Sequence, residues 1–122
     1  MAKRWTEAGG EYQLLFMSAA SRLIKVDENI ECPKCKQSTI RFYFHVFNKN
    51  KGTGTIWIWC PNCRTTLHLP RVKPEGLIFP DPFSNLSIEE FAEIEQDTRI
   101  SFMDRLDKLW NIGKIGNPIK QL

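Results

Sequence analysis

Four cysteines, arranged as two short pairs, are the residues of this 122-residue chain most suited to chemistry. The pairs are Cys32-Pro-Lys-Cys35 and Cys60-Pro-Asn-Cys63, and 24 residues separate them. Two thiolates on one tight turn can face the same ion, and two such turns supply four sulfurs. Four sulfurs complete a tetrahedral shell for Zn²⁺. The spacing therefore predicts one structural zinc ion bound by Cys32, Cys35, Cys60 and Cys63.

Two disulfides, or four unrelated core cysteines, are the alternatives to a metal site. Disulfides need an oxidising compartment, and nothing directs this chain to one. The basic start, Met1 to Arg4, is followed by Trp5 and Glu7, and the apolar stretch Leu14 to Met17 is too short for a signal core. No run approaches the roughly 20 apolar residues of a membrane span. We therefore expect zinc, a cytoplasmic location and no membrane contact.

The two cysteine pairs resemble the knuckles of a zinc ribbon, in which two CPxC turns clamp a metal at the base of a β-hairpin. The resemblance covers roughly residues 30 to 70, about a third of the chain. In that family a glycine usually follows the second cysteine of each knuckle. Lys36 and Arg64 stand there in this chain, which puts the regularity of the knuckle backbone in doubt. Hereafter the first knuckle is Cys32–Cys35 and the second is Cys60–Cys63.

The segments between the two knuckles and after the second one have the composition of the strands that such a ribbon needs. Ile40 to Phe47 and Thr55 to Cys60 are rich in aromatic and β-branched residues, which is typical of strands. Asn48 to Gly54 predicts the turn between them, since Asn and Gly tolerate positive φ. A third, short strand is expected from Thr65 to Leu69, and Pro70 is expected to end it.

Helices are predicted on both sides of the ribbon. An amphipathic helix is expected over residues 11–26, with apolar residues on one face at spacings of three and four; they are Tyr12, Leu15, Phe16, Ala19, Leu23 and Val26. Ser87-Ile-Glu-Glu90 is a capping box that predicts the start of a second helix. That helix is expected to continue to residue 112 and to stop at Gly113.

Together these elements predict an α+β fold in a single domain: a zinc-ribbon β-hairpin in a three-stranded antiparallel sheet, flanked by an N-terminal and a long C-terminal helix. The predicted segments are a helix at 11–26, the zinc ribbon at 32–69, an extended linker at 70–86, a helix at 87–112 and a tail at 113–122. The strands are apolar on both faces. Either the helices cover both faces, or one face is kept for a partner.

Charge is distributed unevenly along the chain. No acidic residue occurs from Cys32 to Pro74, whereas eight lysines and arginines do. Seven of the 14 acidic residues fall between Glu89 and Asp107. The basic ribbon and the acidic C-terminal segment either neutralise each other within the fold or face partners of opposite charge.

Catalysis is not expected. Four cysteines fill the zinc shell, whereas a catalytic zinc keeps one position open. His45 and His68 lie on predicted strands and are interpreted as packed or surface residues. The loop Gly52-Thr-Gly54 lacks the strand-to-helix context of a phosphate-binding loop and is interpreted as a hairpin turn.

Zinc ribbons serve mostly as platforms for proteins or nucleic acids, and the resemblance therefore implies a binding role. Surplus aromatic residues favour a protein partner, because Trp and Tyr are common interface anchors. We expect a non-enzymatic protein that binds, and could neutralise, another protein; in size and style the chain is similar to small bacterial immunity proteins that inhibit toxins. Nucleic-acid binding is the alternative, because basic side chains alternate with aromatic ones. The candidate partner-binding residues are Lys49, Lys51, Arg41, Tyr43, Trp57, Trp59 and Arg64.

Overall fold

The structure, a computed structural model, describes residues 4–26, 30–48, 50–73, 77–116 and 120–121. It is an α+β fold with a four-stranded mixed sheet and three helices in the described part of the chain. The elements in chain order are β1 (Thr6–Glu7), α1 (Glu11–Val26), β2 (Arg41–Asn48), β3 (Thr53–Cys60), β4 (Thr65–Val72), β5 (Leu77–Ile78), α2 (Ile88–Glu95), α3 (Phe102–Asn111) and β6 (Lys120–Gln121).

The central sheet has the strand order β1-β4-β3-β2. Strands β2, β3 and β4 are antiparallel neighbours, as the sequence predicted. The two-residue strand β1 was not predicted. It pairs parallel to β4, with Thr6 opposite Thr65, and so brings the N-terminal segment beside the second knuckle.

The hairpin turn between β2 and β3 is tighter than predicted. Strand β2 ends at Asn48 and β3 begins at Thr53, and the side-chain oxygen of Asn48 accepts a hydrogen bond from the backbone N–H of Lys51 at 3.2 Å. Lys49 lies outside the described residues. Gly54 is needed where the strands approach each other, because a Cβ there would overlap the backbone carbonyl of His45.

Strand β4 passes through Pro70, where the sequence predicted that it would end. The pairing register slips between the pairs Ile56–Leu69 and Gly54–Val72, so β4 carries an extra residue there. Such a bulge leaves a residue out of the hydrogen-bond ladder and tolerates proline, which has no N–H to donate. The strand therefore continues to Val72.

Helix α1 confirms the predicted N-terminal helix and covers one face of the sheet. The buried residues that it shares with that face include Phe16, Ala19, Ala20, Leu23, Phe42, Phe44, Ile56 and Ile58. Leu15 was expected in the buried stripe but is 44% exposed, and Ala20 is buried instead. The Val26 side chain lies outside the described part.

The opposite face of the sheet is aromatic and is covered by the C-terminal helices. Tyr43, Trp57 and Trp59 project from it and pack against Phe91 of α2 and against Met103 and Leu106 of α3. Both faces of the sheet are thus covered within the chain, which answers the question that the sequence left open. Tyr43, Trp57 and Trp59 are therefore packed inside the fold.

The prediction of a single long C-terminal helix over 87–112 is wrong, because residues 96–101 separate α2 from α3. The predicted capping box is present: the Ser87 hydroxyl accepts from the Glu90 N–H at 3.1 Å, and the Glu90 carboxylate accepts from the Ser87 N–H at 3.0 Å.

Two local side-chain interactions explain the division. The carboxylate of Asp97 accepts a hydrogen bond from the backbone N–H of Arg99 at 2.9 Å, and Ser101 caps α3 by accepting from the N–H of Asp104 at 3.0 Å. Asp and Ser side chains compete for backbone groups in this way and favour a new helix start over continuation.

No helix in the described residues has the length and apolarity that crossing a bilayer requires.

The predicted linker and tail are more ordered than expected. Within 70–86, β5 (Leu77–Ile78) forms a two-stranded sheet with β6 (Lys120–Gln121) of the predicted tail. Ile115, also in that tail, is 4% exposed and packs in the aromatic cluster with Trp59. The tail therefore contributes to the core.

Candidate functional site

The two knuckles bring all four cysteine sulfurs together at one end of the sheet. The Sγ atoms of Cys32 and Cys63 lie 3.8 Å apart, and those of Cys35 and Cys60 lie 3.6 Å apart. All four sulfurs lie within 4.8 Å of one another. A tetrahedral ion with metal–sulfur bonds of about 2.3 Å needs sulfurs about 3.8 Å apart. The cluster therefore fits a four-coordinate metal ion.

Each sulfur also has at least one polar neighbour outside the cluster. Cys32 accepts from the backbone N–H of Lys34 at 3.4 Å, and Cys35 accepts from the side-chain amide of Asn62 at 3.3 Å. Hydroxyls lie beside the other two sulfurs: Thr39 Oγ1 is 2.9 Å from Cys60 Sγ, and Thr65 Oγ1 is 3.4 Å from Cys63 Sγ. Partners outside the cluster orient metal ligands, and the two N–H donors, to Cys32 and Cys35, stabilise the thiolate form.

The surroundings of Cys32, Cys35 and Cys60 shift their pKa values in different directions. Burial raises the pKa of Cys32 to about 12 and also raises the pKa of Cys60. Burial also acts to raise the pKa of Cys35, but hydrogen bonds from Asn62 and from the backbone of Gln37 outweigh it and lower that pKa to about 7. A divalent cation favours the thiolate at every ligand position, so metal binding would release protons.

The residue after each knuckle has left-handed backbone geometry. Lys36 has φ 68° and Arg64 has φ 55°, and both follow the second cysteine of their knuckle. This region costs a residue with a side chain about 1–2 kcal/mol, whereas glycine adopts it freely. Lys36 and Arg64 therefore each carry backbone strain that a glycine would avoid.

Arg64 is held by contacts that the sequence did not predict. Its guanidinium donates to Asp104 of α3 at 2.7 Å and lies 4.4 Å from the ring of Trp5. Asp104 also accepts from the indole N–H of Trp5 at 3.0 Å, and the backbone carbonyl of Arg64 accepts from the N–H of Thr6 at 2.9 Å. The second knuckle is thereby joined to β1 and α3.

Arg41 likewise pairs within the fold. Its guanidinium donates to Asp107 at 2.7 Å and to the Asn111 side chain at 2.7 Å. Asp107 also accepts from the buried indole N–H of Trp59 at 2.9 Å. Arg41 and Arg64 therefore neutralise two carboxylates of α3, which realises part of the intramolecular neutralisation considered from the sequence.

The other candidate partner-binding residues are placed differently from the expectation. Tyr43, Trp57 and Trp59 are 1%, 5% and 0% exposed, so in this structure they cannot form an exposed aromatic surface. The alternating aromatic residues that suggested a binding surface instead form a second hydrophobic cluster with residues of α2 and α3. Lys51 is exposed in the hairpin turn, and Lys49 again falls outside the described part of the chain.

A buried polar network lies at the far end of the aromatic face and was missed from the sequence. The Asp81 carboxylate accepts from the Tyr43 hydroxyl at 2.6 Å and contacts His45 Nδ1 at 2.8 Å. Burial, together with Asp81, raises the pKa of Tyr43 far above its ordinary value, so the hydroxyl keeps the proton that it donates. Asp81 lies 36 residues beyond His45, and no spacing motif links the two.

Comparison of the chain with models of protein families, with curated proteins and with solved structures gave no match.

Proposed function

We propose that this chain is a zinc-ribbon protein in which a closed Cys₄ site serves as scaffold and whose task is to bind another protein. The sulfur spacing and the four cysteine donors support zinc, since tetrahedral sulfur coordination is typical of structural zinc sites. Four protein ligands leave no position for a water or substrate. Neutralisation of the partner, as in an immunity protein, is the specific form that we infer for this binding.

The observation that carries the proposal is an exposed apolar surface on helix α1. Leu14 is 71% exposed, Leu15 is 44% exposed and Met17 is 40% exposed. Isolated exposed apolar residues are normal, but large ones grouped on one helix indicate a contact surface. We call these three residues the α1 surface.

A groove beside the α1 surface offers a place for a partner's side chain. It has a volume of about 250 Å³ and lies between α1 and the sheet. Met17 belongs to both the α1 surface and the groove, and Ile24, Leu69 and Phe79 are among the residues that line the groove. Apolar anchors inserted into such grooves contribute most of the binding energy in many interfaces.

The charge near this surface indicates the chemistry of the partner. Arg22 and Lys25 are exposed toward the C-terminal end of α1, and Glu11 is the one acidic residue of that helix, so α1 is basic on balance. We therefore propose an amphipathic segment with acidic residues as the occupant, because complementary charge speeds encounter and sets specificity.

Nucleic-acid binding is the second candidate, favoured by the exposed Lys51 in the hairpin turn. The structure weakens the case that the sequence made for it. Base stacking needs exposed aromatic faces, whereas Tyr43, Trp57 and Trp59 are buried. Arg41 and Arg64 already pair with carboxylates.

The test is purification of the protein with its natural associates, followed by binding measurements on the identified partner. Leu14→Glu is expected to weaken binding at least tenfold, because it places a charge on the apolar surface and repels an acidic segment. Ile112→Glu is the matched control: Ile112 is also apolar and 60% exposed, but it follows α3, and its substitution should change affinity less than twofold.

A photo-crosslinker at position 14 should attach to a partner segment rich in acidic residues. Full affinity in Leu14→Glu, or crosslinks to basic segments only, would overturn the proposal. Micromolar binding to mixed DNA or RNA that falls steeply with salt would favour the second candidate instead.

A further inference from the structure

A cavity of about 450 Å³ lies between the β2–β3 hairpin and helix α2 and shares no residue with the metal centre or the α1 surface. Its lining is mostly apolar, with Phe47, Leu86 and Phe91 among the contributors. Cavities of about 300–1,000 Å³ with apolar walls and a few placed polar groups are typical of small-molecule sites. The polar groups of this cavity therefore indicate what it could bind.

His45 is the most buried of these polar groups. Its side chain is 8% exposed, and its ring stacks on Phe91 with centroids 4.0 Å apart and planes inclined by 5°. Buried polar atoms normally have hydrogen-bond partners. A ring fixed by stacking and by one carboxylate is positioned to recognise a ligand with its second nitrogen.

The proton on His45 is placed by Asp81. That carboxylate also accepts from the Tyr43 hydroxyl at 2.6 Å and from the Phe83 backbone N–H at 2.9 Å, so it acts as an acceptor throughout. His45 Nδ1, which lies 2.8 Å from it, must then donate. His45 Nε2 has no hydrogen-bond partner among the described residues, and it accepts a hydrogen bond only when it carries no proton.

The formal charge of the cavity lining is negative. Glu95 lines it and is close enough to His45 to interact electrostatically, while Asp81 stands behind His45. Neither lysine nor arginine lines the cavity among the residues that the structure describes. Glu95 is exposed as a residue, but partial burial raises the pKa of its carboxyl group, and a cation beside the carboxylate would offset this partial desolvation.

We propose that this cavity binds small organic amines. The hydrocarbon body of the ligand lies against Phe91 and Leu86, and its ammonium group donates hydrogen bonds to His45 Nε2 and to the Glu95 carboxylate. This site is separate from the proposed protein-binding surface and does not depend on it.

The experiment titrates the metal-loaded protein at neutral pH with three ligands that share one aromatic body: phenethylamine, phenethyl alcohol and phenylacetate. Binding is followed by heteronuclear NMR, through the amide signals of Phe91 and Ala92 and the ring signals of His45. The amine is expected to bind at least tenfold more tightly than phenylacetate, with the alcohol between them.

Variants identify the group responsible. Glu95→Gln should weaken amine binding at least tenfold and leave alcohol binding within twofold, because it removes only the charge. Glu93→Gln, an exposed position on the same helix that does not line the cavity, is the matched control and should change neither. His45→Gln should weaken both the amine and the alcohol; Glu95→Gln keeps the test decisive if that variant fails to fold.

Three results would overturn the proposal: no binding of the amine up to about 10 mM, equal affinity for all three ligands, or an amine affinity unchanged in Glu95→Gln.

Discussion

The two knuckles are alike in chemistry but differ in how the rest of the chain supports them. Each supplies two sulfurs and is followed by a residue with left-handed backbone geometry, which is Lys36 after the first knuckle and Arg64 after the second. Lys36 is exposed, and its backbone N–H donates to the Cys32 carbonyl at 2.9 Å. Arg64 instead joins its knuckle to α3 and the N-terminal segment through Asp104 and Trp5.

The same left-handed backbone conformation is therefore supported by different contacts in the two knuckles. At Lys36 no side-chain contact among the described residues offsets the left-handed backbone, and local backbone hydrogen bonds hold the conformation. At Arg64 the strain is offset by an ion pair, a cation–π contact and the fixed position of β1. Both knuckles contribute a buried cysteine to the core, but only the second has an arginine anchor to α3 and β1 among the described residues, so we expect the first to depend more on a bound metal.

The largest effect is expected from removing one ligand of either knuckle. Cys35→Ser and Cys63→Ser should both unfold or aggregate the protein, because structural zinc contributes on the order of 10–16 kcal/mol and a whole domain is stable by only about 5–15 kcal/mol. Thermal unfolding with metal analysis checks this.

Asn62→Ala, which removes only a hydrogen bond to Cys35, is the control and should keep the metal. Wild-type melting in either serine variant would show that the metal is peripheral.

Glycine at the two left-handed positions should act in opposite directions. Lys36→Gly is expected to stabilise the metal-loaded protein by about 1 kcal/mol, since it relieves backbone strain and removes no ion pair. Arg64→Gly relieves the same strain but loses the contacts to Asp104 and Trp5, and we expect a net loss of about 1–2 kcal/mol. Denaturant unfolding measures both.

Lys36→Ala is the control for that pair, because it keeps a Cβ and should leave the unfolding free energy nearly unchanged. If both glycine variants shifted stability in the same direction by similar amounts, the contrast between the knuckles would be refuted.

The smallest effect is expected from weakening the anchor of the second knuckle alone. Asp104→Asn should cost about 0.5–1 kcal/mol, because the ion pair with Arg64 is partly exposed. Hydrogen exchange should quicken at the Thr6 amide, which donates to the Arg64 carbonyl, and not at the Lys36 amide. Glu93→Gln is the charge-matched control. Equal quickening at both amides would mean that the anchor acts on the whole fold.

Local chemistry predicted the elements whose determinants lie close together in sequence. The cysteine spacing predicted the sulfur cluster, and strand alternation predicted β2, β3 and the two apolar faces. The Ser87 capping box predicted the start of α2. The strands and the helix start depend on contacts within a few residues or on a fixed period, whereas the sulfur cluster joins distant residues and was predicted from the repeated cysteine pair.

Features that depend on distant contacts could not be predicted. Strand β1 needs the carbonyl of Arg64, and the His45–Asp81 contact joins separate segments. The break before α3 was missed although Asp97 and Ser101 are visible in the sequence, because the apolar period of 87–112 was read as one helix. Trp57 and Trp59 were taken as possible surface anchors, since the sequence did not show that two short helices cover their face.

X-ray absorption at the zinc edge, on untagged protein purified without added metal, distinguishes a closed four-sulfur zinc site from an empty or open one. We expect one zinc per chain with four sulfurs at about 2.3 Å and no lighter atom in the inner shell. Protein that carries no metal, or a shell that contains water oxygen, would contradict it.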